Sequence, residues 1–280
     1  MANRLKLLSW NVAGRTRLLP DQVAAVLRRE ADIVALQEVR ASTAGRWAAA
    51  LAGAGLGFAL DSAAVAAGRR LFNLTASRWP LDELPPIGAP QPERVLSALA
   101  DPPFGAVEVH NVHIPPAPSN GIAKVETCEA LFFALARHSA RHRILCGDLN
   151  TPRLETEDGA VETFASNHPD AEERWDAAER SLLVGLADWD LADAFRAANG
   201  YDRRDVSWVM HTRARRKAAH RLDHVLASGG LGLVACDYVH EWRQAGLSDH
   251  SAIEAWFEPA PPQPLQWAEG RGRGSEPVRG

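Results

Sequence analysis

Ile144-Leu145-Cys146-Gly147-Asp148-Leu149-Asn150 is the stretch on which the reading of this chain turns. Three apolar residues read as a short buried strand, and they run straight into a glycine, a carboxylate and an amide. Asp and Asn after a strand are ordinarily turn formers, because their side chains hydrogen-bond the nearby backbone. One such strand end carries no chemistry by itself.

Working outward, the pattern recurs. Leu5–Trp10 reads as a buried strand ending at Asn11, and Ile33–Leu36 as another that runs into Gln37-Glu38. Val107–Ile114 alternates apolar and polar residues and carries His113 near its end. Leu222–Ala227 reads as a strand that opens on Asp223, and Asp249-His250 immediately precedes the strand Ser251–Phe257. In a layered α/β core, ligands gather outside the strand ends along one edge. If the strands at 223 and 251 run antiparallel to the others, all of these groups meet on that edge. Each has a plainer reading alone: Glu38 as a solvated loop residue, His113 as a satisfied core or surface histidine. Together, carboxylates, amides and imidazoles are what a hard divalent cation and a phosphate ester require.

The remainder fills in a mixed α/β chain. Gly14 to Pro20 is a turn region, and Asp21 is placed to cap a short helix with Val23, Val26 and Leu27 at helical spacing. Arg46–Leu56 is Ala-rich and helical, and Leu71–Ala76 and Val95–Leu99 are strands separated by a Pro-rich connection around Pro85–Pro92. A long helix is expected from about Ile122 to His138. Arg153–Asp205 is polar, with helical periodicity through Trp175–Leu186, and reads as an insertion packed on the core; Val206–Met210 is a further strand. After Pro259 the composition turns to Pro, Gly and Arg. The expected organisation is one domain over 1–258 and a disordered tail over 259–280.

Composition narrows the class. An apolar share of 46% supports a substantial core in 280 residues, and a net charge of −4 excludes a chain that is basic throughout while leaving room for a local basic patch. The three cysteines, Cys128, Cys146 and Cys236, are widely spaced and odd in number, which suits reduced core residues better than disulfides or a zinc site. No apolar run approaches the roughly 18 residues of a membrane span, and the first residues lack a signal-peptide pattern. The expectation is a cytoplasmic protein without a membrane association, a monomer with no stable protein partner.

Read together, Leu8-Ser9-Trp10-Asn11, Ala35-Leu36-Gln37-Glu38, Gly147-Asp148-Leu149-Asn150, Arg221-Leu222-Asp223-His224 and Leu247-Ser248-Asp249-His250 resemble the endonuclease/exonuclease/phosphatase superfamily, in order, from Leu5 to about Phe257. The Gly-Asp-Leu-Asn and Ser-Asp-His elements in this order are specific; each alone would be weak. The fold implied is an α/β, four-layer αββα sandwich: two mixed sheets face to face with helices outside. By the resemblance Glu38 is the principal metal carboxylate, with Asn11 and Asp249 beside it, and Asp148 orients or deprotonates the attacking water with Asn150. His250, held and charged by Asp223, hydrogen-bonds a nonbridging phosphate oxygen. The implied cofactor is Mg²⁺, with Mn²⁺ as a substitute. An Asp–His pair also gives an imidazole one orientation and favours its protonated form on physical grounds alone.

Substrate is less directly written. Val206-Ser207-Trp208 before Arg221-Leu222-Asp223 resembles an element of exonuclease III-like abasic-site endonucleases, which would place Trp208 against a deoxyribose; a core or surface tryptophan is the plain alternative. The segment ending Leu191-Ala192-Asp193-Ala194-Phe195-Arg196 resembles the same group. Arg213, Arg215, Arg216 and Lys217, with Arg221 nearby, form a basic run suited to a phosphate backbone. His113 departs from the abasic-site enzymes, which place Tyr there. It is similar instead to deoxyribonuclease I-like and phosphatase-like members, where it acts as an acid near the leaving oxygen, with Glu93 as an orienting partner. The loop after it lacks the abasic-site enzymes' phosphate-contacting Asn, a role Lys124 is placed to take, and Val39-Arg40 stands where Thr-Lys is usual. The expectation is a Mg²⁺-dependent nuclease on DNA, of the exonuclease III-like branch. The alternative is a metal-dependent phosphatase or phosphodiesterase on a small or lipid phosphate ester.

Overall fold

The computed structural model describes residues 4–66, 68, 70–116, 121–211 and 217–259. The chain begins β1 (Leu5–Asn11), α1 (Leu19–Leu27), β2 (Ile33–Arg40), α2 (Ala41–Gly53), β3 (Phe58–Asp61), β4 (Leu71–Ser77), β5 (Leu81–Glu83), β6 (Val95–Ala100) and β7 (Val107–His113). It continues with α3 (Ala123–Leu135), β8 (His142–Asp148), β9 (Leu154–Glu155), β10 (Val161–Glu162), α4 (Glu172–Leu183), β11 (Ala192–Asp193) and α5 (Ala194–Asn199). The last elements are β12 (Trp208–His211), β13 (Lys217–His220), β14 (Asp223–Ala227), β15 (Leu233–Val239), α6 (His240–Gln244) and β16 (Ala252–Phe257).

Two mixed six-stranded sheets form, in the orders β15–β16–β1–β2–β4–β3 and β11–β14–β8–β7–β6–β5. Each has one parallel pair at its centre, β1 with β2 and β7 with β8. Central strands of this kind are covered on both faces and read as near-continuous apolar runs, which is why β1 and β8 were legible. Leu5, Leu7, Ile33 and Ala35 of the first sheet meet Val107, Val109, Ile144, Cys146 and Val225 of the second. The alternate residues Leu8, Trp10, Val34 and Leu36 pack under α1 and α2 through Val26, Trp47 and Leu51. On the far side Val112, Leu145 and Leu226 pack under α3 and α4 through Cys128, Leu131, Trp175 and Leu182. Three apolar layers between four structural layers make the αββα sandwich.

Near the edge that carries Asn11 and Asp148, the inter-sheet layer turns polar. Gln37 Nε2 donates to Asn111 Oδ1 at 2.8 Å and to Ser9 Oγ at 3.1 Å, and Asn111 Nδ2 donates to the Leu74 carbonyl at 3.0 Å. Buried amides that satisfy one another across the sheets fix their relative register.

Several local expectations need correction. Asp21 lies within the first turn of α1, whose N-cap is Leu18, because Pro20 already supplies a preset helical start. Strands β3, β5, β9, β10, β11, β13 and β15 are absent from the sequence reading; β3 and β5 are largely exposed edge strands without an apolar run. Cys128, Cys146 and Cys236 are buried free thiols. Among the described residues no helix is long and apolar enough to cross a membrane. Of the expected tail, all but Pro259 lies outside the described residues.

Candidate active site

Strand register puts three of the singled-out residues abreast. In the parallel β7–β8 pair His113 is opposite Asp148, and in the antiparallel β8–β14 pair Asp148 is opposite Asp223. Gly147, with φ +134°, precedes Asp148 where a Cβ would lie 1.9 Å from the Val112 carbonyl oxygen, so only glycine lets β8 approach β7 here. Asn150 follows at φ +51°, its N–H donating to Asp148 Oδ1 at 2.9 Å and its side-chain amide to the Ile114 carbonyl at 2.8 Å.

The first sheet supplies the facing groups. The β2–β4 register slips between Leu36 and Val39, and Glu38 sits in that slip at φ +56°. Such a bulge re-aims a side chain out of the pleat. Segment 248–250 is pinned to the end of β1: Ser248 Oγ donates to the Asn11 carbonyl at 2.7 Å, and Trp10 Nε1 to the His250 carbonyl at 3.1 Å.

Asp148 Oδ2 is the meeting point. Asn11 Nδ2 donates to it at 3.0 Å and to Glu38 Oε1 at 3.4 Å. His113 Nε2 stands 3.7 Å from Asp148 Oδ2 and 3.6 Å from Glu38 Oε1. His250 Nε2 lies 3.7 Å from Asp148 Oδ2, while its Nδ1 is 2.8 Å from Asp223 Oδ2. The 3.6–3.7 Å separations are too long for hydrogen bonds. Asp249 is exposed and accepts from Trp208 Nε1 at 3.2 Å.

Burial first, and then the neighbouring Asp223, push the Asp148 carboxyl well above the usual carboxylate range, against the pull of His250. Burial opposes the charge on His250, yet Asp223 and Asp148 lift its pKa to about 10, so it is an imidazolium at neutral pH. Burial, with Arg94 and His250 adding to it, holds His113 well below the ordinary imidazole range, hence neutral. Arg94 NH1 is 2.7 Å from His113 Nδ1 and 2.9 Å from Nε2. Arg94 thus stands against this ring, next in sequence to the Glu93 that the resemblance suggested as its orienting partner; Glu93 is buried and its carbonyl accepts from Ser62.

The donor set suits a hard cation in chemical kind. Asp148, Asp223 and His250 have ligand atoms within 4.8 Å of one another, but Asp223 and His250 are already joined to each other. Among the described residues lining the cavity, Glu38, Asp148 and Asp249 are the remaining acidic donors, and Asn11 contacts the first two. The buried Asp223 Oδ1 has no hydrogen-bond partner among the described residues. Carboxylate oxygens without a thiolate suit Mg²⁺ or Mn²⁺ in kind. Asn11 enters with its nitrogen towards the carboxylates, since its Oδ1 accepts from the Ala13 N–H at 2.9 Å.

These groups open on a cavity of about 720 Å³ whose far wall is Phe164, His168, Trp208, Met210 and His220. The Trp208 and His220 rings lie nearly parallel, 6.1 Å apart, and Phe164 meets His220 edge-on at 5.2 Å. Phe164, His168, Met210 and His220 were not singled out from the sequence; only His220, next to Arg221-Leu222-Asp223, stands near a motif. Two expected phosphate contacts have their charge taken up by neighbouring carboxylates. Arg221 is buried, with its guanidinium on Glu155 at 2.6 Å and Asp193 at 2.8 Å. Lys124 reaches the cavity floor, but its ammonium is committed to Glu179 at 2.6 Å. Arg213, Arg215 and Arg216 lie outside the described residues, and so does the side chain of Lys217.

A family model described as Endonuclease/Exonuclease/phosphatase family matches residues 8–250, which spans every group above. The chain belongs to the endonuclease/exonuclease/phosphatase family. Members of this family hydrolyse phosphoric esters and use divalent metals, and this chain is a hydrolase of that class. No match to a curated protein was found by sequence. Solved members share the fold. An endonuclease/exonuclease/phosphatase from Beutenbergia cavernae is 19% identical with TM-score 0.66, covering 94% of this chain and 73% of its own. An AP endonuclease from Archaeoglobus fulgidus is 18% identical with TM-score 0.68, covering 91% and 99%. A Neisseria 3′ phosphatase bound to a product DNA hairpin is 23% identical with TM-score 0.63, covering 90% and 99%.

Proposed function

We propose that this chain is a Mg²⁺-dependent phosphodiesterase that hydrolyses DNA phosphodiester bonds, an exonuclease III-like endo- or exonuclease with a place in DNA repair. The observation that carries the reading is the convergence on Asp148 Oδ2 of Asn11, His113 and the Asp223-held His250, with Glu38 across from it. Mg²⁺, for which Mn²⁺ can substitute, would be held by the carboxylates of Glu38 and Asp249, with Asn11 able to join them only through its Oδ1, and would offset the charge of phosphate and leaving oxygen. Asp148 orients the attacking water and takes its proton, a role suited to a carboxyl with a raised pKa. Asn150 positions that water. His250 donates from Nε2 to a nonbridging oxygen as charge builds, and neutral His113 faces the leaving oxygen. Trp208 offers a flat apolar wall to a sugar or base.

DNA is favoured by the company the fold keeps, an AP endonuclease and a phosphatase holding a DNA hairpin. Arg213, Arg215 and Arg216 are retained in this reading as backbone contacts; Arg221 and Lys124 are not. The domain over 1–258, the monomer and the cytoplasmic location belong to the same proposal.

One observation favours the alternative, a phosphatase or phosphodiesterase on a small or lipid phosphate ester. Among the described residues lining the cavity the only lysine or arginine is Lys124, and its charge is spent on Glu179. A panel of abasic-site duplex, plain duplex, inositol phosphates and nucleotides, with Mg²⁺ and with EDTA, separates the two. Metal-dependent turnover of DNA is expected. Neutralising Arg213, Arg215 and Arg216 should lower the salt slope of DNA affinity by roughly 0.9 for each phosphate they no longer pair. Turnover confined to small esters would overturn the DNA reading.

A further inference from the structure

Asn150 holds a left-handed backbone at φ +51°, a conformation that persists only where its surroundings over-determine it. Beneath it lies a buried ion pair. Lys124 of α3 and Glu179 of α4 meet at 2.6 Å with side chains 1% exposed on both partners. Lys124 Nζ also donates to the Asn150 carbonyl at 2.8 Å and stands 4.9 Å from the Phe164 ring centroid. Glu179 accepts from Trp175 Nε1 at 2.6 Å, from the Phe164 N–H at 3.1 Å, and from the Thr151 hydroxyl.

Stability alone is a poor account of this arrangement. Removing two charges from water costs about what their pairing returns, and apolar residues of the same volume do as well or better. What the pair adds is direction: an ammonium aimed at one carbonyl, and a carboxylate that accepts from both the loop after Asp148 and the cavity wall. Both Asn150 and Phe164 line the cavity.

We infer that Lys124 and Glu179 are positioning residues, through which the inserted segment 153–205 sets the placement of Asn150 and of the Phe164 wall. The inference rests on the proposed role of Asn150 in ester hydrolysis. Neither residue touches the reacting atoms; each acts through Asn150.

The test is a double-mutant cycle of Glu179→Gln and Asn150→Ala in the full chain, assayed with Mg²⁺ on the best ester of the panel. Assays run well below the unfolding midpoint of every variant. Each single variant is expected to lower kcat by about 10–100-fold, with little further loss when they are combined, because both remove the same placement. The Mg²⁺ concentration for half-maximal rate stays unchanged, since Glu38, Asn11 and Asp249 are not touched. Multiplying effects, or full activity in Glu179→Gln, would overturn the inference. If Glu179→Gln fails to fold, the uncharged double variant Lys124→Met/Glu179→Leu takes its place with the same expectation. Hydrogen exchange gives a reading independent of catalysis: amides around 149–152 and 161–166 lose protection in the variant, while those of β1 and β16 do not. If wild type hydrolyses no ester in the panel, the functional proposal falls, and unchanged exchange at 149–152 would separately sink the positioning role.

Discussion

His250 Nδ1 and Asp223 Oδ2 are 2.8 Å apart and both residues are buried, so the imidazole has one orientation, set by a hydrogen-bonded carboxylate. Its other nitrogen is directed towards Asp148. A cation is thereby presented at a site where negative charge builds during phosphoryl transfer, without any reorganisation at that moment.

Asp223→Asn removes the main support of that charge. In wild type the imidazolium, with its pKa near 10, persists through neutral pH and is lost only as pH rises through about 10. Without Asp223 the raising influence falls while burial still disfavours the charge, so protonation is lost at lower pH. The rate of the variant is expected to fall with rising pH across the neutral range, where wild type shows no loss from this group. At pH 8 the deficit is about 10²–10³. A pH–kcat profile checks it; parallel profiles for the two proteins would refute the assigned role.

Asp148→Asn separates activity from stability. A carboxylate whose folded pKa is raised above its unfolded value costs stability once pH exceeds the unfolded value, here 3.8. At pH 8 in EDTA the amide removes that cost but can accept only one of the two N–H bonds that Asn11 and Asn150 give the carboxylate. The unfolding midpoint is therefore expected to stay within about 2–4 °C of wild type, equivalent to roughly 1 kcal/mol in a domain of this size. The rate falls by about 10³ or more. A larger loss of stability, or an active variant, contradicts the reading.

Gly147→Ala tests the strand crossing under the site. The added Cβ would meet the Val112 carbonyl oxygen at 1.9 Å from a backbone at φ +134°. Overpacking and strain together predict a loss of roughly 3 kcal/mol or more in urea denaturation. A change under about 0.5 kcal/mol, the range of ordinary surface substitutions, would show that β7 and β8 are further apart than described.

Arg221→Gln bears on acid stability, not on substrate. Burial works against the charges of Glu155 and Asp193, but Arg221 dominates with Arg196 and His224, holding Glu155 at about 2 and Asp193 lower still. Carboxylates depressed in this way stabilise the fold above their unfolded pKa, and that contribution is lost as pH falls from about 4.5 towards 2. The variant leaves two buried carboxylates short of a partner, which costs about 3–5 kcal/mol at pH 7. The gap to wild type should close as pH falls through that window. An unchanged salt slope for DNA binding is expected; a reduced slope would return Arg221 to the substrate side.

Much of the site is legible in the linear chain. Asn11, Glu38, Asp148, Asp223 and His250 announce themselves because each interrupts or borders an apolar run, and apolar runs are the strongest local signal a chain carries. The buried central strands are legible for the same reason. The edge strand β15 is not: Leu233–Val239 mixes Asp237 and an exposed Val234 into its run, because one face of it needs no cover. Arg94, Phe164 and Glu179 are silent too, since nothing in a local window distinguishes them from surface or core residues.

The order of residues determined which groups end strands, how large a core could form, and that oxygen donors rather than thiolates dominate the polar set. Only the tertiary structure decided that two of the expected cations are already paired. Arg221 and Lys124 look like phosphate contacts in a linear reading, yet each is neutralised by a carboxylate some 28 to 66 residues away. Charge compensation depends on distance through space, and a sequence specifies that distance only once the chain has folded.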